Sequence, residues 1–237
     1  MKNHSMKKYL IATSMLAAVG FAGSSHAVDG VFEISESCAS SFGCFDGDSA
    51  GFPVTITESG SYRLTSNIIV SSPIVSIIAV NADNVSIDLN GFSLIGPATC
   101  SGATLTCSQT GVGIGINANG QENITIRNGI ISGMGNDGIV VGRGAYLEEL
   151  VVAENGGEGI DPGAGSVLRR LVVRENGGNG VQLGFSPVYI MDSTVFNNGV
   201  RGVNGGFCGN VLMSGNDNGD DCTAIAPNQC SPATDCD

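Results

Sequence analysis

Between residues 123 and 203, apolar and polar positions alternate in short runs, and the runs return every 21 or 22 residues. The dipeptides Gly138-Ile139, Gly159-Ile160, Gly180-Val181 and Gly202-Val203 mark the period. Ile131, Val152, Val173 and Val195 form a second column, and Ile126, Leu147, Leu168 and Ile190 a third. Asn155, Asn176 and Asn198 form a fourth, each followed by Gly. A repeat this short, rich in β-branched residues, is one coil of a solenoid: it buries its apolar side only by stacking on its neighbours.

Each coil reads as three strands. Ala145-Tyr146-Leu147, Leu150-Val151-Val152 and Gly159-Ile160-Asp161-Pro162 are separated by turns at Glu154–Gly157 and Gly163–Ser166, where Gly and Asn are expected to supply positive φ. Strand alternation sends Leu147, Leu150, Val152 and Ile160 inward and Tyr146, Val151 and Asp161 outward. The segment 84–91 resembles 123–129 at a spacing of 39, which exceeds one coil by about the length of Pro97–Thr110. That stretch is therefore expected to bulge as an insertion loop (97–110) closed by Cys100 and Cys107. The domain order predicted is a signal peptide at 1–27, an irregular N-terminal cap at 28–51, the solenoid at 52–205, and a Cys-rich C-terminal cap or tail at 206–237.

A period of 21–22 is not a multiple of six, which sets it apart from left-handed hexapeptide coils. On the repeat columns and the Asn-Gly stack at Asn155, Asn176 and Asn198, the chain from about Phe52 to Gly206 resembles the right-handed parallel β-helix, or pectin-lyase-like, superfamily. The fold expected is all-β: a right-handed parallel β-helix solenoid of about six or seven coils with disulfide-stapled ends. The resemblance implies contact with polysaccharide, because the superfamily includes polysaccharide lyases, hydrolases, epimerases, tailspikes and adhesins; fold alone does not choose among these.

The ends change the available chemistry. Lys2, Lys7 and Lys8, the apolar run Leu10–Phe21 and the small-x-small Ser25-His26-Ala27 form a Sec-type leader with cleavage after Ala27, so a secreted or periplasmic monomer without a transmembrane segment is expected. All lysines and both histidines leave with it. Seven arginines then face 22 acids, a net charge of −15, which excludes nucleic acid as a partner. The eight cysteines are all in the mature chain, as expected of disulfides in an exported protein. Cys38–Cys44 and Cys100–Cys107 are expected to pair locally; Cys208, Cys222, Cys230 and Cys236 pair among themselves in any of three ways.

Register allows outward rows to be compared. Arg127, Glu148, Arg169 and Glu149, Arg170, Asp192 alternate in sign, as a ladder of solvent-facing ion pairs would. Glu154 over Glu175, and Asp137 over Glu158, are like-charged. Such stacking destabilises unless solvated or bridged by a cation, so Glu154 with Glu175, or Asp217 with Asp220 in the acidic 216–221 segment, are the candidate Ca2+ ligands. Ile130, Val151, Val172 and Thr194 form an outward, largely apolar row that suits a lid made by the chain itself, a carbohydrate groove or a partner surface.

Enzymatic readings meet gaps. A polygalacturonase-like hydrolase or an epimerase with an Asp-Pro-His signature needs a His, whereas Asp161-Pro162 is followed by Gly163. A Ca2+-dependent lyase needs an Arg base, and Arg174 beside Glu154 and Glu175 is the nearest set. The reading preferred is an exported, non-catalytic binding or structural surface directed to polysaccharide or the cell envelope; the alternative is that lyase or a related carbohydrate-active enzyme.

Overall fold

A computed structural model describes residues 30–225, with backbone alone at 184–186. The proposed leader and Cys230 and Cys236 lie outside the described residues. The chain is a parallel β-solenoid of about seven turns with almost no helix. Three walls run the length of the stack, and the columns read from sequence are its registers. In the first wall, Tyr62, Ile87, Ile126, Leu147, Leu168, Ile190 and Cys208 lie over one another. In the second, Leu94, Ile131, Val152, Val173 and Val195 do. In the third, Val54, Ile78, Ile116, Ile139, Ile160, Val181 and Val203 do. These residues form one continuous core, and Ile126, Ile131, Ile139, Val152 and Val173 have no exposed surface at all. Burial of each contributes about 1.5–3 kcal/mol.

Corners between walls are single residues in the left-handed region. Asn128, Glu149, Arg170, Asp192 and Asn210, at φ 49–60°, turn the first wall into the second, and Glu154, Glu175 and Asn197, at φ 54–57°, end the second. Gly and Asn were expected to supply positive φ in the turn after the second wall, yet Glu154 and Glu175 do so there, and charged residues also hold three of the corners after the first wall. A one-residue corner throws its side chain outward, where it can bond along the axis and offset the roughly 1–2 kcal/mol of left-handed strain. Glycine is needed in the turn that follows: a Cβ on Gly156 or Gly177 would sit 2.4 Å from the carbonyl oxygen of the coil below.

Inside that turn Asn155, Asn176, Asn198 and Asn216 form an amide ladder. Asn155 Nδ2 donates to Asn176 Oδ1 at 2.8 Å, Asn176 Nδ2 to Asn198 Oδ1 at 3.0 Å, and Asn198 Nδ2 to Asn216 Oδ1 at 3.1 Å. The same oxygens accept the backbone N–H groups of Asn155, Asn176 and Asn198 at 3.0–3.2 Å. The first three asparagines are completely buried.

Strand pairing continues into both ends of the stack. Val31–Ile34 already pairs in parallel register with Gly60–Leu64, followed by a short helix, Glu36–Ser41, capped by the Ser35 hydroxyl. At the other end the stack runs past residue 205: Val203–Ser214 pairs with the preceding coil, and Asp221–Ala224 pairs with part of that strand. Repeat counting misses this coil because Tyr189 lies opposite Phe207 and Val195 opposite Met213, a step of 18 rather than 22. Disulfides join Cys38–Cys44, Cys100–Cys107 and Cys208–Cys222. No helix among the described residues is long and apolar enough to cross a membrane.

Candidate functional site

The insertion is an antiparallel hairpin, Thr99–Ser101 with Thr106–Ser108, closed by its disulfide. It does not cover the apolar row. Its sulfurs sit 3.5 and 3.9 Å from the Asn155 carbonyl oxygen, over the Asn-Gly turns of neighbouring coils. Gly133, opposite Ala98 in the turn, directs it there through the Ala98 N–H to Gly133 carbonyl bond of 2.7 Å. The outward row Ile130, Val151, Val172, Thr194 and Leu212 is left partly in solvent, with Ile130 38% and Leu212 53% exposed.

Between the hairpin and the coils lies a cleft of about 340 Å³, walled by Ala103 and Leu105 on one side and by Glu175, Asn197, Gly215 and Asp217 on the other. Two of the four candidate metal ligands therefore share it. Arg174 reaches from the second wall to both stacked acids: it is ion-paired with Glu175 and lies 3.6 Å from Glu154. The cation that the stacked acids need is supplied by the chain. Asp220 turns away, accepting the Gly202 N–H at 2.9 Å and the Asn216 amide at 3.0 Å, so it closes the asparagine ladder instead of joining Asp217. Among the described residues no group of three or more acid, His or Cys side chains could hold a metal ion. Ca2+ takes six to eight oxygens, more than the carboxylates of Glu175 and Asp217 bring to the cleft.

The ion-pair rows run further than the sequence indicated. Glu33, Arg63, Asp88, Arg127, Glu148 and Arg169 lie in one register across the first wall. The pairs formed are Glu33–Arg63 at 3.1 Å, Asp88–Arg127 at 2.8 Å, and Glu148 with Arg169 at 2.7 Å and with Arg170. Arg170 also meets Glu149 at 3.0 Å. The hydrogen bond from Arg169 holds the Glu148 carboxyl below the usual range. Spacing alone hid Glu33, Arg63 and Asp88, because the insertion breaks the period before Asn123.

A third cluster was visible only as separate observations. Asp137 accepts the Glu158 N–H at 2.8 Å, Glu158 accepts the Asn179 N–H, and Asn179 Oδ1 accepts the Arg201 N–H at 3.0 Å. The like-charged row is thus a side-chain-to-backbone ladder. Asp161 lies beside it on the third wall. Burial raises all three carboxyls above the usual range, and the charge of Asp137 adds to the rise in Glu158 and Asp161. Raised carboxyls in a group suit proton transfer, but two of these three already accept a neighbouring coil's N–H.

Stacked parallel walls, one-residue corners and an internal asparagine ladder define the class as a parallel β-helix. No family model matches the chain, and no curated protein matches it. Among solved structures it is similar to the A-module of a mannuronan C-5 epimerase of Azotobacter vinelandii, at 14% identity and a TM-score of 0.31, over 78% of this chain and 66% of that one.

Proposed function

We propose that the chain is an exported monomeric β-helix that binds an extended polymer, a polysaccharide, without converting it. The observation that carries this reading is the state of the outward charges. Arg174 is engaged by Glu154 and Glu175, Glu148 by Arg169 and Arg170, and Asp137 and Glu158 by backbone N–H groups. A general base needs a lone pair within reach of a substrate proton; these groups instead face one another along the axis. What the second wall offers a ligand is a row at a coil spacing of about 4.8 Å, apolar from Ile130 to Val172 and partly open to solvent. A sugar chain, with apolar ring faces and hydroxyl edges, suits that row with Arg174 beside it. Three disulfides support an oxidising compartment. Co-sedimentation with neutral and uronate polysaccharides, with and without Ca2+, tests the reading: retention that Val151→Asp with Val172→Asp removes supports it, and retention of no polysaccharide contradicts it.

The second reading, a Ca2+-dependent lyase or related enzyme using Arg174, Glu154 and Glu175, draws on one feature, the shared cleft of Glu175 and Asp217. Calorimetric titration with Ca2+ discriminates, since a resident ion gives heat that Glu175→Gln with Asp217→Asn abolishes.

A further inference from the structure

The N-terminal end of the stack holds a small pocket that the polysaccharide reading does not use. Phe32 and Tyr62 occupy one register of the first wall with rings stacked, centroids 5.1 Å apart. Phe45 meets both edge-on, at 5.7 and 5.2 Å. With Asp46, Thr57 and Glu58 the three rings line a cavity of about 70 Å³.

The pocket's walls are fixed by several independent ties. The Cys38–Cys44 bridge closes the loop carrying Phe45. The Asp48 carboxylate accepts the Cys44 N–H at 2.8 Å and the Thr55 N–H at 2.9 Å, clamping that loop to the strand Val54–Ile56. Gly47, at φ +88°, lets the loop approach Thr57, whose hydroxyl would stand 2.8 Å from a Cβ there. The Tyr62 hydroxyl donates to the Glu58 carbonyl at 2.8 Å and holds the opposite rim. Asp46 and Glu58 are exposed, and among the described residues their carboxylates have no ion-pair or hydrogen-bond partner.

We propose that this pocket binds a quaternary ammonium group of the choline type. Aromatic rings present negative faces to a cation, and a methylated ammonium sheds its water more readily than a bare one. Two carboxylates at the mouth then face a positive charge in partial desolvation. The cavity is about 70 Å³, under half of one that admits benzene, so it takes only part of the methylated head, roughly the nitrogen and two methyl groups, and leaves the third methyl and the hydroxyethyl arm at the mouth beside Asp46 and Glu58. A metal ion is disfavoured because half of the lining is aromatic ring and the carboxylates of Asp46 and Glu58 supply at most four of the six or more oxygens that a hard cation takes. A zwitterion such as glycine betaine would set its carboxylate against Asp46 and Glu58.

The test titrates the mature protein calorimetrically with choline, tetramethylammonium, glycine betaine and the neutral isostere 3,3-dimethylbutan-1-ol. Choline and tetramethylammonium are expected to bind saturably at one site, with the alcohol and betaine weaker by about tenfold or more. Asp46→Asn with Glu58→Gln should weaken choline by about tenfold, and Phe45→Ala should weaken it further. Because Phe45→Ala can loosen the end of the core, the exposed double variant is the decisive one. Absence of saturable binding, equal binding of the alcohol, or choline binding unchanged in the double variant overturns the proposal.

Discussion

Replacing Asn176 with Ala removes the middle rung of the amide ladder, and the cost follows from its bonds. Its Oδ1 accepts the Asn155 N–H at 3.2 Å and the Asn155 Nδ2 at 2.8 Å; its Nδ2 donates to Asn198 Oδ1 at 3.0 Å and to the Val152 carbonyl at 3.2 Å. Asn198 Oδ1 keeps the Asn176 N–H, at 3.1 Å. The variant therefore strands two donors of Asn155, a residue with no exposed surface. At about 1–3 kcal/mol for each stranded group, the loss is about 2–6 kcal/mol, a large share of the roughly 5–15 kcal/mol that holds a domain folded. The centre of that range lowers Tm by about 8–16 °C for a chain of this size. Asn216→Ala is the matched control. Asn216 accepts the equivalent pair of bonds from Asn198, but it is only partly buried, so its removal opens those donors to water, and Asn198 Nδ2 also reaches the Phe196 carbonyl at 3.3 Å; the cost falls to about 0.5–1.5 kcal/mol. Urea titrations with unchanged m-values give both numbers. Equal, small losses in the two variants would refute the ladder as the axial tie of the stack.

Val173→Asp puts an unpaired charge in the centre of the second wall, where Val173 has no exposed surface, and should abolish folding; native-like circular dichroism would contradict the core assignment. The raised carboxyls of Asp137, Glu158 and Asp161 bind protons more tightly folded than unfolded, so their contribution is greatest at low pH and is lost as pH rises from ordinary carboxylate values through the raised folded ones. Glu158→Gln should therefore gain on the wild type in Tm as pH rises from about 4 to 7, and a constant difference across that range would remove the effect. Reduction of Cys100–Cys107 should speed hydrogen exchange at the hairpin and at Gly156 and Gly177, while Val152 and Val173 stay protected; uniform loss of protection would mean the bridge holds the core.

Legibility followed the period. Where steps of 21 and 22 hold, the wall registers, the rows Arg127–Glu148–Arg169 and Glu149–Arg170–Asp192, and the ladder through Asn198 could all be read, because a stack converts sequence spacing into adjacency. Where the period breaks, adjacency was hidden: the hairpin separates Asp88 from Arg127 by 39 residues, and the shortened final coil places Asn216 over Asn198 at a step of 18. Direction was harder to read than position. Spacing showed Asp137 over Glu158, but not that the Asp137 carboxylate would bond to a backbone N–H. It placed Glu154 over Glu175 without showing that Arg174 would neutralise them. The aromatic pocket joins Phe32 and Tyr62, which share a register of the first wall, to Phe45 on a loop outside any repeat.

Turnover is the most direct test of a surface that binds without converting. The mature protein is incubated with uronate and neutral polysaccharides, with Ca2+ present, and unsaturated uronates are followed by ultraviolet absorbance while chain length and uronate epimers are followed by proton NMR. The account predicts retention of a polysaccharide with no change in either signal. Product formation that disappears in Arg174→Ala would contradict it and make Arg174, Glu154 and Glu175 an active site.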